Sequence, residues 1–342
     1  MVETIAAGAF PTKTLGPGEC ARIFTGAPIP QGADAVIRQE DTTRLGGDQV
    51  RINDTRDVGA NVRRRGEDLE RGAMVFQPGT AIGPAQVGVL ASIAVSEPEV
   101  YRRPRVAVLS SGDEIADLSE REAILSGRKI ASSNTYTMLA MARQAGAEPV
   151  NLGIARDDPT DLHSRLAPAR ETDLLVTSGG MSVGEHDYLR SLLEDQGTQM
   201  RFWRLRMRPG APVGFGLLEG VPWLGLPGNP VSTMVTFELF VRPAIRKLMG
   251  HTKLFRRAVP VRVGEPISTP APLQHFVRVR LAAEDGGLTA RLTGPQGSGI
   301  LSSMAKADAL LIVPQDRSEV AVGETLDAIQ LHETIHVEQA PF

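Results

Sequence analysis

Cysteine is nearly missing from this 342-residue chain: Cys20 stands alone. One thiol excludes an intrachain disulfide framework and any multi-thiolate zinc site. Histidine is scarce as well, with six scattered residues and no His-Glu-x-x-His pair to build a His-ligated zinc centre. Charge of one sign is absent too. The 37 Lys and Arg against 40 Asp and Glu leave a formal net charge of −3, so no general nucleic-acid surface is indicated. No apolar run is long enough to cross a bilayer, and no basic-then-apolar leader opens the chain. The expectation is a cytoplasmic protein that binds neither nucleic acid nor membrane and holds any anion with local donors.

What is present is globular in composition, 42% hydrophobic and 23% charged. The length calls for roughly two to four domains. Residues 1–72 read as a small β domain of short strands and turns. Examples are Ala35-Val36-Ile37-Arg38 and Gln49-Val50-Arg51-Ile52, with the Gly46-Gly47 turn between them. Residues 73–103 form a linker with a weakly helical run, Ala85 to Ala94. At residue 104 the grammar changes to strand, turn and helix in alternation, and it continues to residue 250. Strands are expected at 106–109, 150–154, 174–177 and 223–226, and helices over 135–145, 161–169 and 231–249. Such alternation implies a parallel sheet with right-handed crossovers, whose ligands bind outside the carboxyl ends of the strands. Residues 251–342 return to strands and form a second small β domain. The fold class is therefore α/β: a central parallel-sheet α/β/α domain flanked by two small β domains.

Each of the four central strands stops at a polar or Gly/Pro-rich turn. Ser110-Ser111-Gly112-Asp113-Glu114 follows the first, and ordinary turn chemistry explains it equally well. Arg156-Asp157-Asp158-Pro159 follows the second; Asp158 suits a helix cap, and Asp157 lies directly past the strand. After the third comes Ser178-Gly179-Gly180-Met181-Ser182-Val183-Gly184-Glu185. Its glycines let backbone N–H groups converge on an anion without Cβ obstruction. Asp187 lies just beyond, placed to face a phosphate through a divalent ion such as Mg2+. The fourth stop, Pro227-Gly228-Asn229-Pro230, is a rigid turn into a helix, where proline is also ordinary capping. Arg204, Arg206 and Arg208 alternate on an expected strand, which puts three guanidinium groups on one face, whether for an oxyanion or for solvent. Taken alone, the residues imply an anion-binding α/β enzyme, metal-assisted, with its substrate open.

The same segments, in the same order, resemble the molybdopterin molybdenumtransferase family (MoeA and the gephyrin E domain). They are Arg22 to Val36 with Thr25-Gly26-Ala27-Pro28, Asn61 to Asp68 with Arg63-Arg64-Arg65-Gly66, the Ser110 to Glu114 turn, Asn151 to Pro159, Ser178 to Tyr188, and Leu226 to Ser232. The resemblance implies a MogA-like central domain and a Mg2+-dependent enzyme of molybdenum cofactor synthesis. Its substrates would be molybdate and adenylylated molybdopterin, supplied by a molybdopterin adenylyltransferase upstream, and AMP would be released. It implies a homodimer as well. Carried over position by position, Asp68, Glu114, Asp157, Asp187, Arg204 and Arg208 would be catalytic, with Glu114, Asp157 and Asp187 positioning Mg2+. Substrate would be bound by Thr25, Ser178, Gly179, Gly180, Ser182, Gly184, Pro227, Gly228, Asn229, Pro230 and Ser298.

Three departures from the family pattern stand out. The family begins with a further segment carrying an Asp-Asn-Ser-Ala-Met-Asp-Gly-like motif, and this chain starts after it; an acidic contributor and part of the dimerising domain are expected to be missing. The family's Asp-x-Asn element reads Ser132-Ser133-Asn134. Its Lys-Pro-Gly-Lys-Pro pattern reads Arg208-Pro209-Gly210-Ala211-Pro212, with one base fewer. Two other readings stay open: a non-catalytic molybdopterin-binding or scaffold relative, and a nucleotide-processing enzyme sharing only the central domain.

Overall fold

The structure is a computed structural model describing residues 1–180, 199–270, 272–284 and 286–332. The chain divides into two compact units, Met1–Gln77 and the remainder from Pro78.

The first unit holds two small strand pairs. Strands β1 (Glu3–Ile5) and β2 (Ala21–Ile23) run parallel, and β3 (Thr42–Gly46) and β4 (Gln49–Ile52) form a hairpin. The partner of β4 is thus not the expected 35–38 strand. Ala35 to Arg38 has no ladder partner among the described residues, and a four-residue run without one stays irregular. It leads into a short turn at Gln39–Asp41, where Arg38 donates to Asp57 and Asp41. Ile5 is the large apolar residue buried here, so ion pairs and turns organise this unit more than a core does.

The second unit begins with helix α1 (Pro84–Ser92). Then come β5 (Arg105–Ser111), β6 (Ile115–Ala116), α2 (Arg121–Leu125), β7 (Ile130–Ala131), α3 (Ser133–Gln144), β8 (Glu148–Ala155), α4 (Pro159–Leu166) and β9 (Leu174–Ser178). After them follow β10 (Gln199–Trp203), β11 (Met207–Arg208), β12 (Gly214–Leu218), β13 (Val221–Leu226), α5 (Pro230–Thr236) and α6 (Arg242–Leu248). The central sheet has the order β10-β12-β13-β9-β5-β8. Its β13, β9, β5 and β8 are parallel, as the alternating pattern predicts; β12 and β10 add an antiparallel margin that the sequence reading lacked.

Alternate residues of β5 serve opposite faces. Val106 and Val108 pack with Met138, Ala142, Phe237 and Val241, whereas Ala107 and Leu109 pack with Leu152, Leu162 and Leu166. Both faces are covered, which is why these strands read as unbroken apolar runs. Asp158 caps α4 by accepting the Asp161 N–H at 2.8 Å, as its place before Pro159 predicts. The helix expected over 231–249 is interrupted: between α5 and α6, Phe237–Val241 widens to a π turn that carries buried Glu238. Arg242 and Arg256 pair with that carboxylate.

The C-terminal strands are β14 (Ala258–Val263), β15 (Ile267–Ser268), β16 (Gln274–Glu284) and β17 (Gly287–Leu292), then helix α7 (Leu301–Ala305), β18 (Ala309–Val313), β19 (Glu319–Val320) and β20 (Thr325–Gln330). The order β16-β17-β14-β20-β18 closes through a β16–β18 pairing into a small barrel, filled by Val261, Val263, Val279 and Leu311. Closure leaves this ring no free edge.

Candidate active site at the carboxyl edge of the central sheet

The four parallel strands end level with one another. Leu226 and Ser110 both pair with Ser178, and Ser111 pairs with Ala155. Directly beyond lie Pro227-Gly228, Gly179-Gly180, Gly112-Asp113-Glu114 and Arg156-Asp157. The antiparallel margin extends this edge, because Trp203 pairs with Gly214 and Gly214 with Gly225. Arg204 therefore emerges at the same level, its N–H donating to Val213 O at 3.0 Å. Its φ of +72° is rare for a residue with a side chain, and such strain clusters where function demands a fixed direction.

The expected basic strand over 204–208 is not one strand. β10 ends at Trp203, and β11 pairs with β16 of the C-terminal sheet. Arg204, Arg206 and Arg208 are all exposed while Met207 is buried, though not as the one face of a single strand. Arg204 thus belongs to the central sheet edge and Arg208 to the barrel side.

Gly179 is required by geometry. It has φ +94°, its N–H donates to Leu226 O at 3.3 Å, and an added Cβ would lie 2.5 Å from Ser111 O. Beneath the turns lies a layer of buried hydroxyls. Thr135 Oγ1 is 2.7 Å from both Ser110 Oγ and Ser132 Oγ. Thr233 Oγ1 donates to Pro227 O at 2.6 Å, and Ser178 Oγ donates to the same carbonyl at 3.2 Å. The Asn134 amide donates to Ser178 Oγ at 2.8 Å and to Gly228 O at 2.7 Å, joining the two turns. Asn134 and Thr233 escaped the sequence reading as site residues. The Ser132-Ser133-Asn134 element was a pointer to the first; nothing local singles out the second.

The acidic groups come from two neighbouring strand ends. Gly112 N–H donates to Ala155 O at 3.2 Å, which ties the turn after β5 to the end of β8. Asp157 N–H then points at Asp113 Oδ1, 3.4 Å away. The Glu114 carboxylate folds back over Gly112, its oxygens 2.7 and 2.8 Å from the point a Cβ would occupy. Asp113, Glu114 and Asp157 are all exposed. Among the described residues no group of three Asp, Glu, His or Cys side chains converges to hold a metal ion. Ser182, Gly184 and Asp187 lie outside the described residues.

The barrel contributes through one loop. Ser298 O accepts the Val231 N–H at 3.0 Å, at the start of α5 and directly after the Pro227–Pro230 turn. That loop is held by Arg278, whose buried guanidinium donates to Pro295 O, Gly297 O and Ser303 Oγ at 3.3, 3.1 and 2.7 Å. Burial lowers the pKa of this guanidinium. On the other side of α5, Gly210 approaches so closely that a Cβ would stand 2.4 Å from Thr236 Cγ2. The structure therefore brings Arg204, Ser178, Gly179, Gly180, Glu114, Asp157, Pro227 to Pro230 and Ser298 to one end of the second unit. Thr25, in a turn closed by Ala27 N–H to Phe24 O, and exposed Asp68 belong to the first unit.

Fold and edge geometry together define an α/β protein whose parallel strands end level at a rim of glycine turns and exposed carboxylates. Three family profiles match the chain in order: "MoeA N-terminal region (domain I and II)" over residues 1–94, "Probable molybdopterin binding domain" over 107–247, and "MoeA C-terminal region (domain IV)" over 260–331. The molybdopterin molybdenumtransferase of a Nostoc species is 35% identical over 97% of this chain and 76% of its own length. Molybdopterin molybdenumtransferase 1 of Mycobacterium tuberculosis is 36% identical over 95% of this chain and 77% of its own. The crystal structure of the molybdopterin biosynthesis moeA protein from Pyrococcus horikoshii superposes with a TM-score of 0.79 at 26% identity, covering 96% of this chain and 80% of that one. The chain belongs to the molybdopterin molybdenumtransferase family. It is a transferase with a role in molybdenum cofactor biosynthesis.

Proposed function

We propose that this protein inserts molybdenum from molybdate into adenylylated molybdopterin and releases AMP. The observation that carries the reading is the level carboxyl edge. In a chain of this family, two adjacent strand ends present carboxylates, two present Gly-rich turns, and Arg204 stands at the margin. The backbone N–H of Gly180, next to the Gly179 N–H that is spent on Leu226 O, offers a donor to phosphate oxygens without Cβ obstruction. Arg204 and Arg208 neutralise an oxyanion, molybdate or phosphate, by planar charge-assisted hydrogen bonds. Pro227 to Pro230 and Ser298 frame the substrate. No covalent protein intermediate is required, because positioning and electrostatics suffice.

Mg2+ is part of the proposal. The donor set fits: exposed hard oxygens of Glu114 and Asp157 stand at adjacent strand ends, and Mg2+ commonly takes one or two protein carboxylates plus substrate phosphate oxygens. Glu114, Asp157 and Asp187 would hold it. When bound, it would neutralise charge on the phosphoanhydride that AMP leaves. We further propose a cytoplasmic homodimer that takes its substrate from a molybdopterin adenylyltransferase.

The test incubates the protein with adenylylated molybdopterin, Mg2+ and molybdate and follows AMP. The expected result is molybdate-dependent AMP release, abolished by chelation and by Asp187→Ala with the melting curve unchanged. Tight pterin binding without AMP release would instead identify a binding or scaffold protein.

A further inference from the structure

We infer that Asn134 is a positioning residue for the proposed reaction: it holds the Pro227–Pro230 turn so that two backbone N–H groups face an oxyanion of the substrate. The inference rests on the function proposed above. Both N–H bonds of the Asn134 amide are spent on the protein, one on Ser178 Oγ at the end of β9 and one on Gly228 O past β13. Its Oδ1 is buried and has no partner among the described residues. A flipped amide would satisfy nothing better, since it would set oxygen against the Gly228 carbonyl oxygen. The orientation therefore forgoes a buried acceptor to make two donor bonds, which is costly unless the two turns must be held together.

The consequence lies on the far side of the peptide planes. Thr233 and Ser178 pull the Pro227 carbonyl inward, and Asn134 pulls the Gly228 carbonyl inward. Both following peptide bonds are trans, so each N–H points opposite to its carbonyl. The N–H groups of Gly228 and Asn229 are thereby turned outward. Both residues are exposed, and neither N–H has a partner among the described residues. Two adjacent outward donors in a rigid turn match an oxyanion, either a substrate phosphate or molybdate itself. Three side chains from α3, β9 and α5 thus set the direction of two backbone donors that no side chain at the turn supplies.

The test compares wild type, Asn134→Ala and the near-isosteric Asn134→Asp, whose carboxylate would repel the Gly228 carbonyl while keeping the volume. The expected result is a rise of about tenfold or more in one KM, the value of a single good hydrogen bond, with kcat nearly unchanged. A rise for adenylylated molybdopterin assigns the donors to its phosphate; a rise for molybdate assigns them to the metal oxyanion. Unchanged KM for both, or a loss confined to kcat, overturns the inference. Amide exchange at Gly179 and Thr233, both hydrogen-bonded in the structure, gives a readout independent of turnover. If wild type shows no AMP release, faster exchange at these two amides in both variants leaves the tie standing while the reaction reading falls. Unchanged exchange overturns the tie.

Discussion

The two ends of the central sheet are built from different chemistry. At the amino end, Asp173 accepts the Arg105 N–H at 2.8 Å and pairs with Arg102, while its own N–H returns to Arg105 O at 2.8 Å. Arg105 Nη1 donates to Glu171 O at 2.9 Å, and Glu148 N–H donates to Pro104 O at 2.9 Å. Charges there are consumed in closing the sheet. At the carboxyl end the buried layer is made of neutral hydroxyls and one amide, and the acids and Arg204 above it are exposed. One end uses its charge on itself, and the other leaves its charged side chains exposed. The difference predicts that substitutions at the two ends separate stability from turnover.

The largest effect is expected at Gly179. In Gly179→Ala the new Cβ would meet Ser111 O at 2.5 Å, in a backbone region that already disfavours side chains. The turn must shift, and a displacement near 1 Å at a reacting site costs on the order of 100-fold in rate. We expect AMP release to fall by about that factor, with a stability loss of about 1–3 kcal/mol from the backbone strain. Normal turnover in this variant would remove the distinction between the two ends.

Asp173→Ala should act oppositely. It leaves the Arg105 N–H and the Arg102 guanidinium without their acceptor, at a cost of about 1–3 kcal/mol for hydrogen bonds to a charged group. Turnover at 25 °C should be unchanged. The loss should also depend on pH. The Arg102 hydrogen bond holds the Asp173 carboxyl below its ordinary value. A lowered folded-state pKa stabilises the fold above the unfolded value, about 3.9, and that stabilisation disappears as pH falls through the lower folded-state value. The Tm difference between wild type and variant should therefore be full at neutral pH and shrink below about pH 4. A difference independent of pH would show that Asp173 contributes only volume.

The same contrast governs what was legible in the sequence. Both faces of β5, β8, β9 and β13 are covered, so their apolar runs announced a parallel sheet and its carboxyl edge. The first unit has little buried apolar surface, and there the pattern of residues misplaced a strand at 35–38 while the hairpin formed at 42–52. Family motifs, not periodicity, made that unit readable. Alternation at Arg204, Arg206 and Arg208 matched their exposure, yet it could not reveal that the backbone turns at Arg204 with a positive φ and that β11 joins the barrel. Asn134, Thr233 and Arg278 act through partners 94, 6 and 19 positions away. The Asn134 pairing exists only once α3 and β13 are assembled, and the Arg278 pairing only once the barrel loop folds back, so residue pattern alone does not announce them. The Thr233 pairing is local, but a threonine early in a helix is too ordinary to single out.

The smallest effect sharpens the boundary between the two kinds of chemistry. Some charge on the carboxyl side is spent on the protein itself. Asp117, on the excursion between β6 and β7, accepts the Tyr136 O–H at 2.6 Å and both the N–H and O–H of Ser119. Together these hydrogen bonds, Tyr136's the largest and then those of Ser119, lower the Asp117 carboxyl from 3.8 to about 2. The bond from Tyr136 also raises the Tyr136 pKa, because the carboxylate opposes loss of the phenolic proton. Tyr136→Phe should return the Asp117 midpoint toward 3.8, read by carboxyl NMR titration, while AMP release stays within about twofold, as exposed substitutions away from the reacting groups do. If turnover instead fell sharply with the midpoint restored, the Asp117–Tyr136 pair would belong to the ligand-holding set, and the line between structural and reserved charge would have to be drawn further out from the strand ends.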